Sequence, residues 1–270
     1  IPSIAREKAG IVKPRVPLVV SDQKPEAASV IESVAGELSA PLIRFADEVM
    51  VVSRTMPATE SSLEDGGRAA APVPVTSLQL RFADGMEVST VLRLLGAVQA
   101  ANAGLAALAV RTAFPETSDT ALQSGLARAW LPGRAEVLYA SHIAGTTGAR
   151  VLLDGAHTPQ SISKVLDVVE ELEPEAERRV LIFGAVKGKQ HESMLRLVSG
   201  KFARIIIARP GAFKESDVNE LFRLCVATGR QCILEPEMDD AVDAAFELAP
   251  SLVVVTGSFQ IWCALWLRLR

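Results

Sequence analysis

Cysteine is scarce in this chain: Cys225, Cys232 and Cys263 are the three among 270 residues. An odd number at these spacings makes neither a paired disulfide framework nor a metal-ligand pattern. Cys225 and Cys263 fall in apolar helical patterns, so all three are expected to be buried thiols of a reducing compartment. Long apolar runs are missing as well. No stretch reaches the ~20 residues that a membrane span needs, and the start lacks the charged region and apolar core of a secretion signal. The apolar close, Ile261 to Leu267, is short and is expected to be a buried last helix. A large charge of either sign is also absent. With a formal net charge of -4 and a pI near 5.6, there is no electrostatic reason to expect nucleic acid or an anionic membrane as a partner, whereas a small anionic ligand fits a locally basic site.

Several motifs are absent too, and each absence removes a class. There is no G-x-S-x-G elbow, which argues against a Ser/His/Asp hydrolase, and no G-x-G-x-x-G after any strand, which argues against a dinucleotide oxidoreductase. Gly184-Ala185-Val186-Lys187-Gly188-Lys189-Gln190 comes nearest to a phosphate loop. It has one residue too few between its glycines and no hydroxyl to hold magnesium. Histidine is limited to His142, His157 and His191, too scattered to read as a metal site. What is present is an ordinary globular composition, 49% hydrophobic and 22% charged, long enough for two domains.

In chain order, Ser3 to Gly10 reads as a helix, and its abrupt start suggests a fragment or a missing N-terminal half. Pro17–Val20, Pro25–Leu38 and Leu42–Phe45 form a βαβ unit, with Ala28, Val30, Ile31 and Val34 as the apolar helix face. Ser53 to Val75 is irregular and reads as a surface loop. Leu78–Phe82 and Met86–Thr90 flank the Ala83-Asp84-Gly85 turn as a hairpin. A long helix covers Gly96–Ala113, with Leu105, Leu108 and Ala109 facing a core, and a second covers Thr120–Ala129. Leu131-Pro132-Gly133-Arg134 marks a boundary between residues 1–130 and 131–270. Beyond it, Glu136–Ser141 and Arg150–Leu153 enclose the polar loop His142–Gly148, and strands then alternate with helices to the end. That alternation implies an α/β fold whose mostly parallel sheet is buried on both faces.

The stretch most suggestive of chemistry is Val151-Leu152-Leu153-Asp154-Gly155-Ala156-His157-Thr158-Pro159. A short strand ends, Gly155 relaxes the turn, Thr158 caps a helix and Pro159 occupies its first position. Ligands bind at such carboxyl ends in open α/β sheets. Asp154 can equally cap the turn, and His157 can equally be solvated. Lys187 and Lys189 either neutralise phosphate or are ordinary surface lysines. His142 and His191 read as structural or solvated. Lys8, beside Glu7 near a helix C-terminus, is a cation where the helix dipole favours one.

Three separated stretches share a further property. Ile4-Ala5-Arg6-Glu7-Lys8-Ala9-Gly10-Ile11, the Gly96-x-x-Gln99-x-x-Asn102-Ala103 helix start, and Leu131-Pro132-Gly133-Arg134 followed by Asp154-Gly155-Ala156-His157 resemble the folylpolyglutamate synthase and dihydrofolate synthase family of Mur-type ligases. Gly257-Ser258-Phe259 resembles that family's last strand-to-helix turn. The resemblance implies that residues 1–130 are the remainder of a P-loop ATPase-type central domain and that 131–270 are a Rossmann-like C-terminal domain. It implies an ATP- and Mg2+-dependent ligase: the carboxylate of dihydropteroate or of a folate is phosphorylated, and the amine of L-glutamate displaces phosphate. By resemblance Lys8 is a carbamylated magnesium ligand, Asn102, Arg134 and Asp154 contact the nucleotide from a cleft between the domains, and His157 faces the reacting groups.

Departures from the family pattern stand beside this. Val98 replaces a histidine before Gln99, Thr158 replaces an asparagine after His157, and of an Asp-Lys-Asp pattern only Lys189 remains, between Gly188 and Gln190. The Gly-Lys-Ser phosphate loop has no counterpart here, so this chain alone is expected to hydrolyse no ATP. The implied protein is cytoplasmic, or mitochondrial in a eukaryote, and monomeric, with small-molecule partners only. A Mur-type ligase of cell-wall precursors and a non-catalytic nucleotide-binding α/β module are the rival readings.

Overall fold

The computed structural model describes residues 1–57, 73–139, 149–211, 215–261, 263 and 265. The polar loop with His142, and most of the irregular stretch before Val75, lie outside the described residues. The chain divides into two compact units, one made mainly of residues 1–54, 76–93 and 97–129, the other mainly of 130–270.

The first unit opens with helix α1 (Pro2–Ala9), strand β1 (Leu18–Val20), helix α2 (Pro25–Glu37) and strand β2 (Leu42–Arg44). β1 and β2 pair in parallel, so this is the expected βαβ unit. The face of α2 differs from the expectation: Ala27 and Ala35 are fully buried, while Ala28, Val30, Ile31 and Val34 are half-buried. A short helix α3 (Phe45–Glu48) leads into strand β3 (Val49–Met56), followed by β4 (Val75–Phe82) and β5 (Glu87–Leu92). These strands lie in the order β3-β4-β5, with β4 and β5 as the antiparallel hairpin. The strand running to Met56 corrects the irregular reading from Ser53. Its residues alternate in exposure along one half-buried face, and that pattern was masked by the polar Ser53 and Arg54.

Helix α4 (Ala97–Ala113) packs on this hairpin through Ala100, Ala103, Gly104, Ala107 and Leu108, and α5 (Asp119–Arg128) adds Leu122 and Leu126. Ala109, expected in the core, is exposed, and Leu105 is half-buried. In so Ala-rich a helix the buried stripe is set by where small residues allow close approach. At Gly104 a Cβ would come within 2.9 Å of the Phe45 ring.

The second unit contains β6 (Glu136–Tyr139), β7 (Arg150–Leu153), α6 (Pro159–Leu172), β8 (Arg179–Phe183), α7 (His191–Val198), β9 (Arg204–Ile207), α8 (Val218–Ala227), β10 (Cys232–Leu234), α9 (Met238–Glu247) and β11 (Leu252–Thr256). Among the described residues they form a six-stranded sheet in the order β10-β9-β8-β11-β7-β6, parallel except for β6 against β7. Alternate residues of the apolar strands feed two cores. Leu152, Leu181, Phe183 and Val254 pack with α6, α7 and α8 on one face, and Val151, Ile182, Val253 and Val255 pack with α9, Ile261 and Leu265 on the other. The last strand is inserted between β7 and β8, and the helical residues after it cover the face opposite α6 and α7. Neighbouring strands thus send their chains to opposite faces, which opens a crevice at their carboxyl ends.

The cysteines depart from expectation. Cys225 on α8 and Cys232 at the start of β10 are disulfide-bonded, with a Cα–Cα distance of 6.4 Å, and Cys263 is free and exposed. The odd count concealed this pairing: the reversal between α8 and β10 brings together two cysteines only 7 positions apart. No described helix is long and apolar enough to cross a membrane.

Candidate functional site

Three turns meet at the carboxyl edge of the second unit's sheet, following β7 and β11 and preceding β6. The turn after β7 is anchored by Asp154, which is 7% exposed. Its Oδ1 accepts the N–H of Ala156 at 2.7 Å and its Oδ2 accepts the N–H of Ala135 at 2.8 Å. A single carboxylate therefore ties the residues after β7 to the turn before β6. Burial pushes the Asp154 carboxyl up from its ordinary value, against the opposing pull of those two N–H groups and of the nearby charges of Arg134 and His157. Both readings of Asp154 made from the sequence meet here, since the residue caps the turn and also lies at the strand end.

The turn before β6 is gripped from a second side. Glu136, 9% exposed, accepts the N–H of Gly133 at 3.0 Å, and Gly155 N–H donates to the Gly133 carbonyl at 2.9 Å. Between these anchors Ala135 is held at φ 47°, a left-handed conformation uncommon for a residue with a side chain. Arg134 is half-buried in this turn, and its guanidinium carbon lies 5.6 Å from the centre of the Phe259 ring. The ring in turn rests on Gly155, where a Cβ would come within 2.4 Å of Phe259 Cδ2. Phe259 reaches this place because Gly257, at φ 108°, turns the chain sharply after β11. A side chain there would meet the Gly184 carbonyl at 2.7 Å.

His157 is exposed at the mouth of helix α6, with Nδ1 3.0 Å from the Gly155 carbonyl. A carbonyl can only accept, so Nδ1 carries a proton, and in the neutral form of the ring the lone pair lies on Nε2. Thr158 and Ser161 form a reciprocal cap at the helix start, with Pro159 at its first position, as the sequence leads one to expect. Nearby, the charge of Lys187 is met by Glu215 at 2.7 Å, whose hydrogen bond raises the lysine above its ordinary range. That pairing favours the surface-lysine reading for Lys187. His191 is buried, with Nε2 2.9 Å from the Val186 carbonyl, and is structural rather than solvated.

Lys8 and Asn102 belong to the first unit. Lys8 is exposed on α1 and pairs with Glu7 at 3.2 Å, and Asn102 is exposed on α4, donating to Gln99 Oε1 at 3.3 Å. Among the described residues no group of three His, Cys, Asp or Glu could hold a metal ion. The side chains around Lys8 therefore do not by themselves make a magnesium site. Thus Arg134, Asp154 and His157 are brought together within the second unit. The sequence reading overlooked Glu136 and Phe259 as parts of the site. The one signal for Glu136 is an acidic residue inside an otherwise apolar strand start. Gly257-Ser258-Phe259 is marked by resemblance as a turn, but the ring's contacts with Arg134 and Gly155 join residues more than 100 positions apart.

Residues 133–259 match the family model described as Mur ligase, glutamate ligase domain. That segment begins and ends at the two turns that meet over Gly155. The chain is 30% identical over 203 residues to the dihydrofolate synthase/folylpolyglutamate synthase of Bacillus subtilis, covering 73% of this chain and 41% of that protein. Its fold matches the folylpolyglutamate synthase of Thermotoga maritima (26% identity, TM-score 0.76, 99% of this chain and 57% of that one). It likewise matches the Mycobacterium tuberculosis folylpolyglutamate synthase complexed with ADP and AMPPCP (23% identity, TM-score 0.81, 99% of this chain and 59% of that one). The chain is similar to the folylpolyglutamate synthase/dihydrofolate synthase family of the Mur ligase superfamily. It spans 41% of the length of the Bacillus subtilis relative.

Proposed function

We propose that this chain is part of an ATP-dependent carboxylate–amine ligase that adds L-glutamate to dihydropteroate or a folate. The observation that carries the reading is the meeting of Arg134 and Phe259 over Gly155, at the two ends of the segment that matches a glutamate ligase domain. Residues 1–130 would supply the remainder of the ATPase domain and 131–270 the C-terminal domain. Nucleotide binding is supported by the ADP- and AMPPCP-bound relative. In the reaction, a carboxylate oxygen takes the γ-phosphoryl group and ADP leaves. The glutamate amine then attacks the acyl carbon, releasing phosphate and forming the amide.

Arg134 offers a fixed cation to the nucleotide phosphates, and Asn102 a side-chain amide to the nucleotide. Asp154 acts first on the protein, by holding the Arg134 turn in place. His157, with its lone pair on Nε2, takes the proton that the attacking ammonium must lose. Magnesium supplies charge neutralisation to ATP when bound, and Lys8 could ligate it only as a carbamate. The described side chains do not complete such a site, so no step is assigned to the metal.

The test is ligation by a longer protein that joins this chain to an ATPase half with a phosphate loop. ADP release should require both L-glutamate and the pterin acid, with one amide formed per ADP. Release of ADP independent of either would refute the assignment.

A further inference from the structure

We propose that Phe259 is a positioning residue for Arg134, an inference that rests on the ligase reading above for its functional half. Arg134 sits on a turn whose backbone is already fixed from two sides, by Glu136 on the Gly133 N–H and by Asp154 on the Ala135 N–H. Fixing the backbone leaves the long side chain with several rotatable bonds of its own. The Phe259 ring removes that freedom. Its centre lies 5.6 Å from the guanidinium carbon, within the range where a cation is attracted to an aromatic face. The ring cannot retreat toward β7, because it already rests against the backbone of Gly155, closer than any Cβ would permit. It cannot easily follow a moving β11 turn either, because Gly257 there donates to the Ala156 carbonyl at 3.0 Å and crowds Gly184.

Phe259 stays 44% exposed, so its ring is open on the side away from Gly155. The half-buried Arg134 guanidinium lies beside that ring. The requirement at position 155 follows from the same geometry: any side chain there would lift the ring and release the arginine.

Two readouts on the 270-residue chain test this. The first needs no ligand. In the free protein the Arg134 side-chain N–H resonance should carry a ring-current shift that Phe259→Leu abolishes and Phe259→Tyr preserves. An Arg134 resonance that is the same in wild type and Phe259→Leu would overturn the proposal whatever the chain binds. The second is titration with a non-hydrolysable ATP analogue. Phe259→Leu should weaken binding by about threefold to tenfold and Phe259→Tyr should restore it, while Phe259→Leu in an Arg134→Ala background should add no further loss. Additive losses would overturn the positioning role. Failure of the wild-type chain to bind the analogue would count against the ligase reading, and the resonance would still decide the role of Phe259.

Discussion

Asp154 shows how far one residue can be read in isolation. From the sequence it was either a turn cap or a ligand contact, and the structure spends both oxygens on backbone N–H groups of separate turns. An amide in its place can accept only one of those bonds. Asp154→Asn should therefore cost about 1–3 kcal/mol in urea unfolding, because a buried donor is left unpaired. Glu173 provides a pH test at the other end of the same sheet. Burial is the largest influence on its carboxyl and acts to raise it, but the Ser251 hydroxyl, the Glu175 N–H, Arg178 and Arg150 together hold it below the ordinary value of 4.5. A carboxyl with a lowered folded value contributes stability above 4.5 and loses it as the pH falls through the folded value. The urea midpoint should accordingly fall as the pH is taken below 4.5, and Glu173→Gln should flatten that dependence. A midpoint that loses as much in the variant as in the wild type would contradict the assignment. Neither the Glu173 cluster nor the Phe259 contact was visible in the sequence, since both join residues from distant elements.

At the scale of elements, local signals served well where they were strong. The Thr158-Pro159 start of α6 and the apolar spacing of Ile162, Val165, Leu166, Val169 and Leu172 gave the helix and its buried face correctly. They served poorly where the composition was uniform, as in α4, or where polar residues interrupt an alternating strand, as in β3. The α8–β10 pair was also misread, because cysteine parity concerns the whole chain while a disulfide depends on local reversal. Titration of the denatured chain should find one free thiol without reductant and three with it. Reduction should lower stability by about 2 kcal/mol, the chain-entropy expectation for so short a loop. At the β11 turn, Gly257→Ala should destabilise by several times the usual helix-surface substitution, about 2 kcal/mol or more, since φ 108° and the contact with the Gly184 carbonyl both oppose a Cβ. Equal urea midpoints for Gly257→Ala and wild type would show that the turn relaxes freely.

For the whole molecule, alternation of apolar strands with amphipathic helices was enough to give the α/β fold with its mostly parallel sheet, because a parallel sheet buried on both faces leaves a strong hydrophobic pattern. The strand order was not legible: insertion of β11 between β7 and β8 creates the crevice at the carboxyl edge, and no local feature of Leu252–Thr256 announces it. Asp154 and His157 could be placed at a strand end from sequence alone. Their association with Arg134 could be inferred only by resemblance, and the structure supplies the turn-to-turn hydrogen bonds that bring them together. Arg134 is proposed as the cation that meets the nucleotide phosphates. Steady-state kinetics of the longer ligase, comparing wild type with Arg134→Ala at varied ATP, should show a KM for ATP raised about tenfold or more, the effect of losing one charge-assisted contact. Unchanged KM and kcat for ATP in that variant would contradict that role.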